Sequence, residues 1–144
     1  MKPDTVDAEI HSSQERDKQR CPGCIFCEIP PHRIIDSNLL GYVIKDMYPV
    51  TELHSLIIPH RHVASYFDLT QSELEAMTEL LRQTRDSIMQ KDPSVEAFNV
   101  GVNDGEVSGQ SIPHCHIHLI PRRKGDVRKP RGGVRHTIPG RGEY

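Results

Sequence analysis

Apolar positions acquire a rhythm only after residue 20. Residues 1–20 offer Val6, Ala8 and Ile10 among mixed charges, too little apolar surface to offset the entropy of ordering, and they predict a disordered leader. After the break at Pro30-Pro31, two short apolar runs, Arg33–Ile35 and Leu39–Ile44, flank Ser37-Asn38 and predict a β-hairpin. A further run, Leu53–Ile58, stops at Pro59 and predicts a buried strand. Thr70-Gln71-Ser72-Glu73 has the form of a capping box, in which hydroxyl and carboxylate satisfy each other's free amides. Leu74, Met77, Leu81, Thr84 and Ile88 then share one helical face, and Asp92-Pro93 ends the helix. Ala97–Val102 and Pro113–Ile120 are the remaining strands, separated by a turn-rich loop over Asn103–Gly109. The pattern predicts an α+β fold with one main helix and a mainly antiparallel five-stranded sheet. Its expected organisation is a leader over 1–20, a domain over 21–126 and a tail over 127–144.

At 144 residues the chain suits a single core. No run approaches the roughly 18 apolar residues of a membrane span, and the N-terminus lacks the apolar stretch of a secretory signal, so a cytoplasmic protein without a membrane partner is expected. The formal charge of −2 hides an asymmetry, because residues 122–144 carry eight Lys or Arg against Asp126 and Glu143. Such a block is a solvated arm or a contact for an anionic ligand; nucleic acid is not the expected partner. Cys21, Cys24 and Cys27 crowd into seven residues while Cys115 stands alone. That spacing suits a metal site in a reducing compartment better than a disulfide framework.

The densest chemistry lies in His114-Cys115-His116-Ile117-His118. In an extended strand alternate residues share a face, so the three imidazoles project to one side while Cys115, Ile117 and Leu119 face the other. Two chemistries suit such a row. It can bind a metal, or one neutral imidazole can act as a nucleophile towards phosphorus. The preceding segment, Asn103-Asp104-Gly105-Glu106-Val107-Ser108-Gly109-Gln110-Ser111, supplies amide and hydroxyl donors and glycines that let backbone approach an anion. That favours phosphate.

These residues, with the upstream His54-Ser55-Leu56-Ile57-Ile58-Pro59 and Cys24-Ile25-Phe26-Cys27, resemble the histidine triad family in order from about Cys24 to Asp126. The resemblance implies a homodimer with one purine-nucleotide site per subunit. It further implies that His116 forms a nucleotidyl–histidine intermediate, resolved by water or another acceptor. His118 would bond the α-phosphate or the leaving oxygen, and Asn103, Gly109, Gln110 and Ser111 would form the phosphate site. Asp46 matches the ribose ligand, and His54 the buried histidine behind the triad.

Cys24 and Cys27 have the Cys-x-x-Cys spacing of adjacent corners in a zinc tetrahedron. Cys21 repeats that spacing, so spacing alone leaves Cys21 with Cys24 as an alternative pair. Zinc-bearing members of the family resemble this chain in a set that becomes Cys24, Cys27, His62 and His114, a closed structural site. The Pro121-Arg122-Arg123-Lys124-Gly125-Asp126 ending resembles the fragile histidine triad branch, which lacks the cysteine pair. The expected activity is therefore that of a nucleotide hydrolase or transferase acting on dinucleoside polyphosphates or adenylate conjugates. The alternatives are a nucleotide-binding signalling dimer with vestigial catalysis and a metal-dependent hydrolase built on the histidine row.

Overall fold

A computed structural model describes residues 20–144; residues 1–19 of the expected leader, His11 included, lie outside the described residues. The chain forms β1 (Ile34–Ser37), β2 (Gly41–Lys45), β3 (Ser55–Pro59), α1 (Gln71–Lys91), β4 (Val95–Gly101) and β5 (Ile117–Arg123). The five strands make one sheet in the order β1-β2-β3-β5-β4, and every pairing is antiparallel.

The hairpin turns on Asn38, whose side-chain oxygen accepts from the amides of Leu40 and Gly41. The helix starts where the capping box predicts: the Thr70 hydroxyl accepts from the Glu73 amide, and the Glu73 carboxylate accepts from the Thr70 amide. The same carboxylate is buried and paired with Arg61 at 2.7 Å. The buried face of α1 is Glu73, Met77, Leu80, Thr84 and Ile88. Leu80 takes the central position expected of Leu81, because the face tilts towards Glu73, which the Arg61 pair draws inward. Leu81 lies at the margin, and Leu74 packs beside Val63, Leu69 and Cys115.

Strand alternation puts two cores on opposite faces of the sheet. Val43, Ile57, Ile117 and Leu119 meet Met77, Leu80 and Ile88 of the helix. Tyr42, Ile44, Leu56 and Ile58 meet Phe26 of the cysteine segment. Both faces of β2 and β3 are thus covered, which is why their sequences read as continuous apolar runs. Gly41 permits the close approach on the helix side: a Cβ there would lie 2.1 Å from the Met77 methyl carbon.

The last strand corrects the expected Pro113–Ile120. It begins at Ile117, because Pro113 has no amide for the ladder, the His114 amide turns back to Ile112 O at 2.8 Å, and the Cys115 amide donates to Val63 O at 2.7 Å. It also runs through Pro121 to Arg123. At its end, Arg122 is held by Asp126 and Asn99, and Arg123 by Asp92. The chain ends in a short 3-10 turn, Gly133–Thr137, with the guanidinium groups of Arg131 and Arg135 over the Tyr144 ring at 4.4 and 4.8 Å. No helix among the described residues is long and apolar enough to cross a membrane.

Candidate active site

The face of the sheet opposite α1 carries the histidines. Leu56 pairs with His118 across β3 and β5, so His118 shares the face of Leu56 and Phe26. Phe26 lies edge-on to both His114 and His116, with ring centroids 5.9 and 5.1 Å away, and His116 to His118 is 5.2 Å. The triad thus projects to one side although its first two members precede the regular strand.

Backbone partners fix the proton positions on these rings, since a carbonyl can only accept and an amide can only donate. His116 Nδ1 lies 2.8 Å from the carbonyl oxygen of His114. Nδ1 therefore carries the proton and donates, which leaves Nε2 with a bare lone pair in the neutral ring. His114 Nε2 lies 2.8 Å from Pro59 O, so it donates there and its Nδ1 is bare.

That bare nitrogen points into a four-residue cluster. His114 Nδ1 is 3.5 Å from the sulfurs of both Cys24 and Cys27, and His62 Nδ1 is 3.3 Å from Cys27 Sγ. A zinc ion with bonds of about 2.3 Å to sulfur and 2.0–2.1 Å to nitrogen sets its tetrahedral S···N edges at about 3.5 Å. The four donors fit that geometry. Burial pushes the Cys27 thiol up and His114 down to about 4, and a cation at the centre would favour the thiolate and the neutral imidazole together. Cys21 is outside this set: its amide donates to Cys27 Sγ at 3.3 Å, while its thiol is exposed.

On the other side of His116, a second group of possible metal donors forms from Asp46, His54 and His118. His54 Nε2 is 2.9 Å from His118 Nδ1 and 3.5 Å from Asp46 Oδ2. Here the outer nitrogen behaves differently. His54 Nδ1 accepts from the Val50 amide at 3.2 Å, so the proton of the neutral ring sits on Nε2 and points inward. A metal-bound histidine has the reverse arrangement, its outer N–H donating. The inward proton is given to His118 Nδ1, which places the proton of neutral His118 on Nε2. That nitrogen is buried without a hydrogen-bond partner among the described residues. Burial, then His116 and His54, push His118 down to about 4, and burial lowers His54 against the opposing pull of Asp46. Both rings are neutral near pH 7, so their contacts with Asp46 are not ion pairs.

The loop from β4 leads back to the histidine segment. Gly101 pairs with His118, and the chain then leaves through half-buried Asn103 and returns at exposed Ser111. Gly105 and Gly109 take φ of +92° and +99°, conformations that favour glycine. Gln110 closes the loop, its side chain accepting from the Gly105 amide and donating to the carbonyls of Ala64 and Ile112. The Asp104 carboxylate fastens the loop to the Ser65 hydroxyl and the Tyr66 amide. Asp46 Oδ1 accepts from the Tyr48 amide at 2.8 Å, which holds the carboxylate beside the histidine pair. Asp104 and Val50 are the contributors that sequence reasoning missed. Asp104 lies in a segment noted only for its donors, and Val50 acts through a backbone amide that no residue type announces.

The HIT domain family matches residues 27–125 of the chain. The chain is 40% identical over 87 residues to the asymmetrical bis(5'-nucleosyl)-tetraphosphatase of Schizosaccharomyces pombe, covering 60% of this chain and 47% of that protein. It is 32% identical over 105 residues to the adenosine 5'-monophosphoramidase HNT1 of Saccharomyces cerevisiae, covering 69% of this chain and 63% of that one. It thus spans about half to two thirds of the length of these relatives. A zinc-bound histidine triad family protein from Mycobacterium smegmatis superposes with a TM-score of 0.66 at 28% identity, covering 72% of this chain and 78% of that one.

Proposed function

This chain belongs to the HIT domain family, and from that premise we propose that it is a nucleotide hydrolase or transferase in which His116 Nε2 attacks the α-phosphorus. One observation carries the proposal: the Nδ1–H of His116 is held by a backbone carbonyl, so the nitrogen presented outward is the one with the lone pair. Attack forms an N–P bond and breaks the bond from phosphorus to the leaving group. The positive charge that develops on the ring is stabilised by the same Nδ1–H···O=C bond. His118 Nε2–H, a donor without a partner among the described residues, serves a phosphate oxygen or the departing group, with His54 fixing its tautomer. Water or another acceptor then attacks phosphorus, the N–P bond breaks, and the nucleotide leaves.

The phosphate oxygens are received by Asn103, Gly109 and Ser111, in a loop whose shape Gln110 maintains, and Asp46 receives the ribose hydroxyls. The substrate class is dinucleoside polyphosphates or adenylate conjugates, consistent with the names of the two yeast relatives. The active unit is a homodimer. The inward Nε2–H of His54 speaks against a metal-assisted route on that side, and the bare nucleophile speaks against vestigial catalysis.

Cys24, Cys27, His62 and His114 would hold a structural zinc. With these four side chains as donors, the cysteine segment, the chain after β3 and the start of the triad would be tied together. The test of the mechanism is mass spectrometry of protein quenched during turnover of an adenylate substrate. A nucleotidyl adduct on His116 is expected, and an adduct on any other residue would refute the assignment.

A further inference from the structure

Cys21 has no place in the four-donor cluster, yet it is built onto it. Cys21-Pro22-Gly23-Cys24 closes a turn, with the Cys24 amide donating to Cys21 O at 3.2 Å. Proline second and glycine third with φ +83° are the residues of a type II turn. Such a turn holds its end Cα atoms within about 7 Å, overlapping the separation that a disulfide spans. The next turn, Cys24 to Cys27, is closed in the same way at 3.1 Å. Cys24 therefore stands between two cysteines, each one turn away. Exposure falls inward along the series: Cys21 is exposed, Cys24 half-buried and Cys27 buried. The Cys21 amide on Cys27 Sγ keeps the outer turn seated against the cluster.

We propose that Cys21 is an oxidation site which, after reaction with a peroxide, forms a disulfide with Cys24 and so removes one donor from the metal cluster. The inference rests on the metal reading above. The exposed Cys21 sulfur, as thiolate, attacks an oxygen of hydrogen peroxide, the O–O bond breaks, and sulfenic acid and hydroxide result, the hydroxide taking a proton from solvent to become water. Cys24 sulfur then attacks Cys21 sulfur, the S–O bond breaks, and the departing hydroxide takes a proton to become water. Two thiols lose two electrons and the peroxide is reduced. Cys27, His62 and His114 remain as three donors, and the ion is released.

The test uses the full chain loaded with zinc and treated with graded hydrogen peroxide. Released zinc is read by a chromogenic chelator, and disulfides are mapped by mass spectrometry after alkylation. The wild type should release zinc together with formation of a Cys21–Cys24 bridge, and a dithiol reductant with added zinc should restore loading. Cys21→Ser, an exposed and conservative change, should hold zinc to at least tenfold higher peroxide. Equal sensitivity of the two proteins, or a mapped Cys24–Cys27 bridge, would overturn the redox proposal alone. A chain that takes up no zinc before oxidation would instead overturn the metal reading beneath it.

Discussion

His116 stands between two clusters that each contain a pair of histidines, and the rings are turned in opposite senses. Both contain two histidines and at least one acidic or thiol partner whose donor atoms lie within 4.8 Å of one another. In the first, the outer nitrogen of His114 donates to Pro59 O and the lone pair turns inward. In the second, the outer nitrogen of His54 accepts from the Val50 amide and the proton turns inward. One backbone carbonyl against one backbone amide separates the proposed metal site from the proposed proton relay. Donor separations alone would not have told the two apart.

The comparison can be broken at its centre first. His116→Ala should lower turnover by about 10⁴-fold, because the nucleophile has no substitute, while nucleotide affinity stays within a few-fold. Single-turnover kinetics alongside equilibrium binding checks both halves, and near wild-type turnover would end the proposed mechanism.

The next largest effect should fall on the thiol side alone. Cys27→Ser should lose zinc and melt lower by about 15 °C, as expected for losing about 4 kcal/mol of ligand stabilisation in a domain of this size. Substituting Asp46 should leave zinc content unchanged. Elemental analysis and calorimetry decide, and a wild type purified without chelators that contains no metal would remove the distinction between the clusters.

Acidification should separate them again. Folded His118 stays neutral down to about pH 4, whereas an unfolded imidazole protonates near 6.5. Between those values the unfolded chain binds the extra proton, so stability should fall as pH drops from about 6.5 towards 4, by up to about 1.4 kcal/mol per pH unit, and should be independent of this group above 6.5. Urea midpoints of the zinc-loaded wild type and of His118→Gln should therefore converge towards pH 4. A constant gap between them would argue against a buried neutral His118.

The smallest effect belongs to the carboxylate. Asp46→Asn keeps an oxygen for the Tyr48 amide and removes the charge, and it should raise KM about tenfold with kcat little changed, the loss of one charge-assisted hydrogen bond. A fall in kcat without a change in KM would move Asp46 from ribose binding into the relay.

The helix and the succession of strands along the chain were legible because they rest on periodicity and on side-chain caps: Thr70 and Glu73 announce α1 without help from the rest of the chain. The four-residue cluster of Cys24, Cys27, His62 and His114, in contrast, was legible only through family resemblance, since spacing did not separate Cys21 from Cys27. The start of β3 was placed early because Leu53, an ordinary strand residue, adopts φ +70° and ends a turn instead. Pro121 hid the end of β5. Its carbonyl accepts from the Thr51 hydroxyl at 2.7 Å, on the side where pairing with β3 stops at Leu119. A missing amide costs nothing in the ladder there. The tautomers were not legible at all, because they start from main-chain groups, His114 O, Pro59 O and Val50 N, whose alignment with a ring no residue type announces.

The acceptor that orients His116 is the carbonyl of residue 114, and this gives the molecule a blind spot to genetics. All twenty amino acids supply a main-chain carbonyl, so no codon change at position 114 deletes it. A saturation library would rank substitutions there by what the lost ring does to metal binding, and the contribution of the oxygen would appear in no row. An ester in place of the 114–115 amide, introduced by chemical synthesis, would weaken the acceptor. It would also delete the Cys115 N–H that donates to Val63 O, so the segment's own anchoring would have to be measured alongside.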